Sequence, residues 1–185
     1  AKSDYFTGTG IKGMLSRWFF AGSGQHPIDR TNADAAQAAM NAGLEVLTEG
    51  EILCIYPEGT RSPDGRLYRG KTGPARLAMK AGVPVIPIGV TGTGDYIRAL
   101  TKLKLGRRPE VRVMVGEPLD ISAWAGREGD RAAEREITDE LMRRIQALTG
   151  QEYLPDIYGA DMKKRFDAIR ESGHNLLDQP VDASS

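Results

Sequence analysis

The stretch Ile52-Leu53-Cys54-Ile55-Tyr56-Pro57-Glu58-Gly59-Thr60-Arg61-Ser62 decides how this chain is read. Five consecutive apolar residues closed by Pro57 predict a short buried strand, because a strand covered on both faces shows no polar alternation. Cys54 then reads as a small core residue. A loop rich in Gly and Arg runs from Glu58 to Lys71. Beyond it a helix is expected over 73–81, with Pro74 in its first turn, where the missing N–H goes unused. Val83-Pro84-Val85-Ile86-Pro87-Ile88-Gly89-Val90 reads as the next buried strand, and its two prolines mark it as irregular or at an edge. A third, alternating strand follows at Val111–Val115. Strand, helix and strand in this order predict a right-handed βαβ unit. The fold class is therefore α/β, with a largely parallel or mixed central sheet flanked by helices.

The flanks fit this frame. Upstream, Ala36, Met40, Leu44 and Leu47 make a helical stripe within residues 32–50, with Thr31, Asn32 and Asp34 as candidate caps and Gly50 as the stop. Ile11, Leu15, Trp18 and Phe19 form another stripe over residues 10–21, flanked by Lys12 and Arg17; it reads equally as a core helix or as one seated among lipid headgroups. Downstream, residues 131–148 place Ile137, Leu141, Ile145 and Leu148 on one face, and 161–172 form a more polar helix before a loose tail. The expected organisation is a single α/β domain over 1–150 and a C-terminal helical extension with its tail over 151–185.

Composition excludes several classes of function. The 185 residues carry 25 Lys/Arg against 25 Asp/Glu, so bulk positive charge does not hold this chain on nucleic acid. One cysteine leaves no disulfide framework and no cysteine-rich zinc site, which suits a reducing compartment, and no metal ligation is expected. No apolar run approaches the ~20 residues needed to span a bilayer. The balance conceals an asymmetry: residues 1–119 carry 16 basic against 11 acidic side chains, and residues 120–185 carry 9 against 14. The basic excess gathers at 61–80 and 98–112, enough to hold a phosphorylated small molecule or an anionic lipid.

The run Gly65-Arg66-Leu67-Tyr68-Arg69-Gly70-Lys71-Thr72 fits the phosphate-loop pattern G-x-x-x-x-G-K-[ST] letter for letter. Such a loop must leave a buried strand directly so that its amides curl around phosphates. Here Pro57 to Asp64 intervene, and Leu67 and Tyr68 are bulky. Nucleotide binding therefore stands as the weaker alternative.

Glu58 to Arg61 lie where the first strand should end, the usual ligand position in an open α/β sheet. Gly59 lets a ligand approach the backbone, and Thr60 offers a hydroxyl donor. Arg61 presents a planar fork suited to two hydrogen bonds with a phosphate. Glu58 would orient Arg61 or accept from a substrate hydroxyl. Lys71 would add positive charge at a helix N-terminus. The same residues also suit a plain turn with a surface Arg–Glu pair and a solvated lysine.

Gly24-Gln25-His26-Pro27-Ile28-Asp29-Arg30, then Tyr56-Pro57-Glu58-Gly59-Thr60-Arg61-Ser62, then Val83-Pro84-Val85-Ile86-Pro87 occur in one order. Together they resemble the second, third and fourth sequence blocks of the PlsC-type phospholipid acyltransferases, which act on glycerol-3-phosphate and 1-acyl-glycerol-3-phosphate. The resemblance covers roughly residues 1–120. It implies transfer of a fatty acyl group from an acyl-CoA or acyl carrier protein thioester to the hydroxyl of glycerol-3-phosphate or lysophosphatidate. It implies no cofactor beyond that donor, no nucleic acid, and a cytoplasmic protein or one peripheral at the inner face of the cell membrane. Arg30 would supply a second fork to the same phosphate, unless it pairs with Asp29 or caps the next helix.

The resemblance also implies a catalytic His followed five positions later by Asp. The histidines of this chain are His26 and His174, and the fifth residues after them are Thr31 and Gln179. The chain begins at Ala1 without Met and looks like sequence from inside such an enzyme. The expectation is an acyltransferase whose N-terminal catalytic portion is missing, inactive as 185 residues and with its catalytic residues unknown. The alternative is a non-catalytic module that binds phosphorylated lipid precursors. The expected substrate-binding residues are Arg30, Glu58, Gly59, Thr60, Arg61 and Lys71.

Overall fold

A computed structural model describes residues 33–93 and 110–171. The expected helix over 10–21, Arg30, both histidines, most of the basic stretch at 98–112 and the C-terminal tail lie outside the described residues. The chain divides into two units between Leu53 and Cys54. The first contributes helix α1, Ala33–Thr48, within the stripe anticipated for 32–50. It ends as Gly50, at φ +82°, turns the chain away.

The second unit is built around a long helix. Its elements in chain order are strand β1 (Leu67–Tyr68), helix α2 (Gly73–Ala81), strands β2 (Ile88–Thr91) and β3 (Arg112–Val115), helix α3 (Arg131–Thr149), strand β4 (Tyr153–Leu154) and helix α4 (Gly159–Glu171). Strands β1 and β4 pair in parallel, and β2 and β3 pair antiparallel. The α/β class with mixed strand pairing is as expected. The segment assigned on sequence to a C-terminal extension contributes β4 to this unit.

Helix α3 starts where Asp130 accepts hydrogen bonds from the amides of Ala132 and Ala133, and it stops where Gly150 takes the left-handed conformation at φ +67°. Ala133, Ile137, Leu141 and Ile145 recur every fourth residue and are buried with Met142. They close over Leu67, Ala75, Met79 and Leu119 to form the core. Glu134, 2% exposed, sits in this interior because the Arg76 fork meets both its oxygens at 3.0 Å. Helix α2 carries Pro74 in its first turn and ends at Gly82, at φ +65°.

Two anticipated strands are corrected. Residues 52–56 form no strand, and Ile52 and Tyr56 are 88% and 82% exposed. A strand persists only when a neighbour satisfies its ladder, and none among the described residues runs beside this segment. Cys54, read as a core residue, is accordingly exposed. The strand expected over 83–90 is confined to 88–91, with an isolated bridge from Val85 to Leu119, because Pro84 and Pro87 interrupt the ladder. It is half-covered rather than buried. Gly89 faces α3, where a Cβ would lie 2.7 Å from Thr149 Cγ2, whereas Ile88 and Val90 are exposed beside Val115 and Val113.

Candidate functional site

The loop after Tyr56 folds back on the backbone of β1 and the segment leading to α2. Gly59, at φ +69°, closes a turn whose amide donates to the Tyr56 carbonyl at 3.0 Å. Only glycine reaches this conformation without strain. The Lys71 amide donates to the Pro57 carbonyl at 2.8 Å, and its side chain crosses Gly59 so closely that a Cβ there would lie 3.3 Å from Cδ and Cε and 3.5 Å from Nζ. Lys71 thus brings an ammonium beside Gly59, one residue before the N-cap Thr72 of α2. The Thr72 side chain makes no capping bond, so positive partial charge at the α2 N-terminus adds to that of Lys71.

Glu58 does not orient Arg61, the first of its two expected roles. Its Oε2 accepts from the Tyr68 amide at 2.9 Å. Among the described residues no hydrogen bond or ion pair joins Glu58 to Arg61. Burial pushes the Glu58 carboxyl up to about 7; the Tyr68 amide opposes the rise and the nearby Asp64 charge adds to it. Arg61 is exposed, its fork free of ion pairs among the described residues. Thr60 is half-buried, its methyl lodged against Gly159 at the start of α4. The structure therefore brings Glu58, Gly59, Thr60, Arg61 and Lys71 into one loop and its floor. Arg30 lies outside the described residues.

Sequence reasoning missed the supports of this loop. Tyr68, fully buried, donates its hydroxyl to Asp64 at 2.7 Å, while Asp64 also takes the Arg66 Nε at 2.7 Å and the Arg66 amide at 3.1 Å. Burial raises the Asp64 carboxyl, but hydrogen bonds from Tyr68 and Arg66 outweigh it and hold the group below the usual carboxylate range. The buried pair Leu67–Tyr68 has no alternation to betray it, since a two-residue strand is shorter than any periodic signal.

The same pairing corrects the phosphate-loop alternative. The amides that would have to curl around phosphates are already spent: Leu67 donates to Glu152, Tyr68 to Glu58, Arg69 to Ile157 and Lys71 to Pro57, at 2.8 to 2.9 Å. The letter pattern holds a strand, not a cradle.

The loop thus sets the Gly59 turn, the Lys71 ammonium across it and the exposed Arg61 close together in the chain on an α/β unit. Residues 8–91 match the family model Acyltransferase, and this segment is a member of that family. At the finer level, its relatives are 1-acyl-sn-glycerol-3-phosphate acyltransferases. That of Cocos nucifera is 39% identical over 147 residues, covering 78% of this chain and 44% of the relative. That of Limnanthes alba is 45% identical over 67 residues, covering 36% and 24%. The chloroplastic enzyme BAT2 of Brassica napus is 33% identical over 102 residues, covering 55% and 29%. Among solved structures, the crystal structure of the 1-acyl-sn-glycerophosphate acyltransferase PlsC from Thermotoga maritima is similar at 26% identity and a TM-score of 0.49, covering 80% of this chain and 56% of that one. The chain spans less than half the length of these curated relatives. Among the described residues no helix is long and apolar enough to cross a membrane, and no cluster of His, Cys, Asp and Glu could hold a metal ion.

Proposed function

We propose that this chain supplies the acceptor half of an acyltransferase active site, one that moves a fatty acyl group from an acyl-CoA or acyl carrier protein thioester to a hydroxyl of glycerol-3-phosphate or lysophosphatidate. The observation that carries the reading is the Lys71 side chain lying across the Gly59 turn, two residues before an exposed Arg61 that has no ion-pair partner among the described residues, within the family-matched segment. A phosphate monoester carries two negative charges and planar pairs of oxygens, which suit a guanidinium fork and an ammonium together. Arg30 is proposed as the second fork. Thr60 would hydrogen-bond the glycerol backbone, and Glu58, held half-protonated near neutrality, would accept from or donate to a glycerol hydroxyl.

Acyl transfer also needs a base on the attacking hydroxyl and donors for the oxyanion. Neither histidine in these 185 residues has an Asp five positions on. The chain by itself is therefore expected to bind acceptor without consuming thioester. The donor, the acceptor and a place at the cytoplasmic membrane surface belong to this proposal. Titrating the chain with sn-glycerol 3-phosphate tests it: saturable binding that Arg61→Ala weakens at least about tenfold is expected. Thiol release from acyl-CoA by the chain alone would refute the assignment of the base to residues it lacks.

A further inference from the structure

The loop carrying Glu58 to Arg61 is held from behind by a segment outside the family-matched residues 8–91. Residues 151–159 run alongside β1: the Leu67 amide donates to the Glu152 carbonyl at 2.8 Å and the Arg69 amide to the Ile157 carbonyl at 2.9 Å. The Gln151 side-chain amide donates to the Gly65 carbonyl. Between these points Leu67 and Tyr68 pair in parallel with Tyr153 and Leu154. Tyr68, fixed by this pairing, holds Glu58 through its amide and Asp64 through its hydroxyl, so one buried residue ties both ends of the loop.

The segment ends at Gly159, which is buried against the loop itself. A Cβ at Gly159 would lie 3.1 Å from Thr60 Cγ2 and 3.5 Å from Tyr68 Cβ and Cδ2. Nothing about the backbone at this first residue of α4 demands glycine; the reason for it is the seat of the Thr60 methyl. In threonine the methyl and the hydroxyl share one Cβ with a stiff χ1, so a push on the methyl moves the hydroxyl with it.

We propose that Gln151–Gly159 is the back wall of the acceptor site, with Gly159 as the positioning residue that sets where the Thr60 hydroxyl meets a phosphorylated polyol of the glycerol phosphate class. This rests on the acceptor-site reading above. Alanine at the start of a helix is at least as favourable as glycine, so Gly159→Ala separates positioning from stability. The deleted space can also be returned from the other side: Thr60→Ser keeps the hydroxyl and removes the methyl that the new Cβ would strike.

The experiment is calorimetric titration of the 185-residue chain with sn-glycerol 3-phosphate, alongside thermal melts. Gly159→Ala should weaken binding about tenfold with no fall in melting temperature, and Gly159→Ala/Thr60→Ser should restore it to within about twofold. Wild-type affinity in Gly159→Ala, or a loss that Thr60→Ser does not rescue, overturns the back wall. If Arg61→Ala still abolishes binding in that case, the acceptor site stands without it. Absence of binding by the unaltered chain, or binding indifferent to Arg61→Ala, overturns the site and the back wall together.

Discussion

The amide of Tyr68 donates to Glu58 Oε2 at 2.9 Å, ten residues back along the chain, and so the carboxylate is turned inward and does not orient Arg61. Burial in that position keeps its proton to unusually high pH. The consequence for the site is an exposed Arg61 that, among the described residues, has no carboxylate partner.

Glu58 makes stability depend on pH in a defined direction. Its folded-state value of about 7 lies above the ordinary 4.5, so the folded chain binds the extra proton between those values. The stabilisation is complete below about pH 4.5 and is lost as pH rises through about 7. Allowing for solvent screening of a half-buried group, the loss is about 1 to 2 kcal/mol. Glu58→Gln keeps an acceptor for the Tyr68 amide and removes the titration. Thermal melts at pH 5 and pH 8 should therefore show wild type falling by ~2–6 °C more than the variant. Equal falls in the two proteins would contradict the inward, desolvated carboxyl.

Tyr68→Phe keeps the backbone bond to Glu58 and deletes only the hydroxyl that meets Asp64 at 2.7 Å. Losing a part-buried bond to a charged acceptor is expected to cost about 1.5 kcal/mol. Denaturant unfolding should show a lower midpoint with an unchanged slope.

Gly59→Ala asks an alanine to adopt φ +69° and brings its Cβ to 3.3 Å from the Lys71 stem. A left-handed conformation costs a non-glycine residue about 1–2 kcal/mol, and Lys71 must move aside. The variant should lose both that stability and affinity for sn-glycerol 3-phosphate. Undiminished affinity would separate Lys71 from the receptor.

Among the described residues Arg76 is the one counter-ion of the Glu134 carboxylate, whose side chain is 3% exposed. Arg76→Met leaves that charge buried and should destabilise by about 3 kcal/mol, whereas Arg76→Met/Glu134→Met should recover most of the loss. Comparing the two unfolding midpoints decides between a pair required for its charge and one replaceable by packing.

Helices were readable from the chain because their signal repeats within it. Ile137, Leu141 and Ile145 mark the buried face of α3, Asp130 and Gly150 bound it, and Pro74 and Gly82 bound α2. The same local reading failed at Ile52–Tyr56, where an apolar run predicts a strand only if neighbours exist to complete its ladder. At Gly65–Thr72 the letter match to a phosphate loop is rightly set aside, and the structure shows its amides bonded elsewhere.

The sequence by itself determined the helices within the described residues, the family of residues 8–91 and the residue types of the candidate site, since propensity, capping and motif spacing are local properties. Only the tertiary structure decided that Glu58 turns to Tyr68, that Lys71 lies across Gly59 and that Gly159 seats Thr60. Those contacts join residues up to about a hundred positions apart, and their geometry comes from strand pairing and close packing that no local pattern encodes.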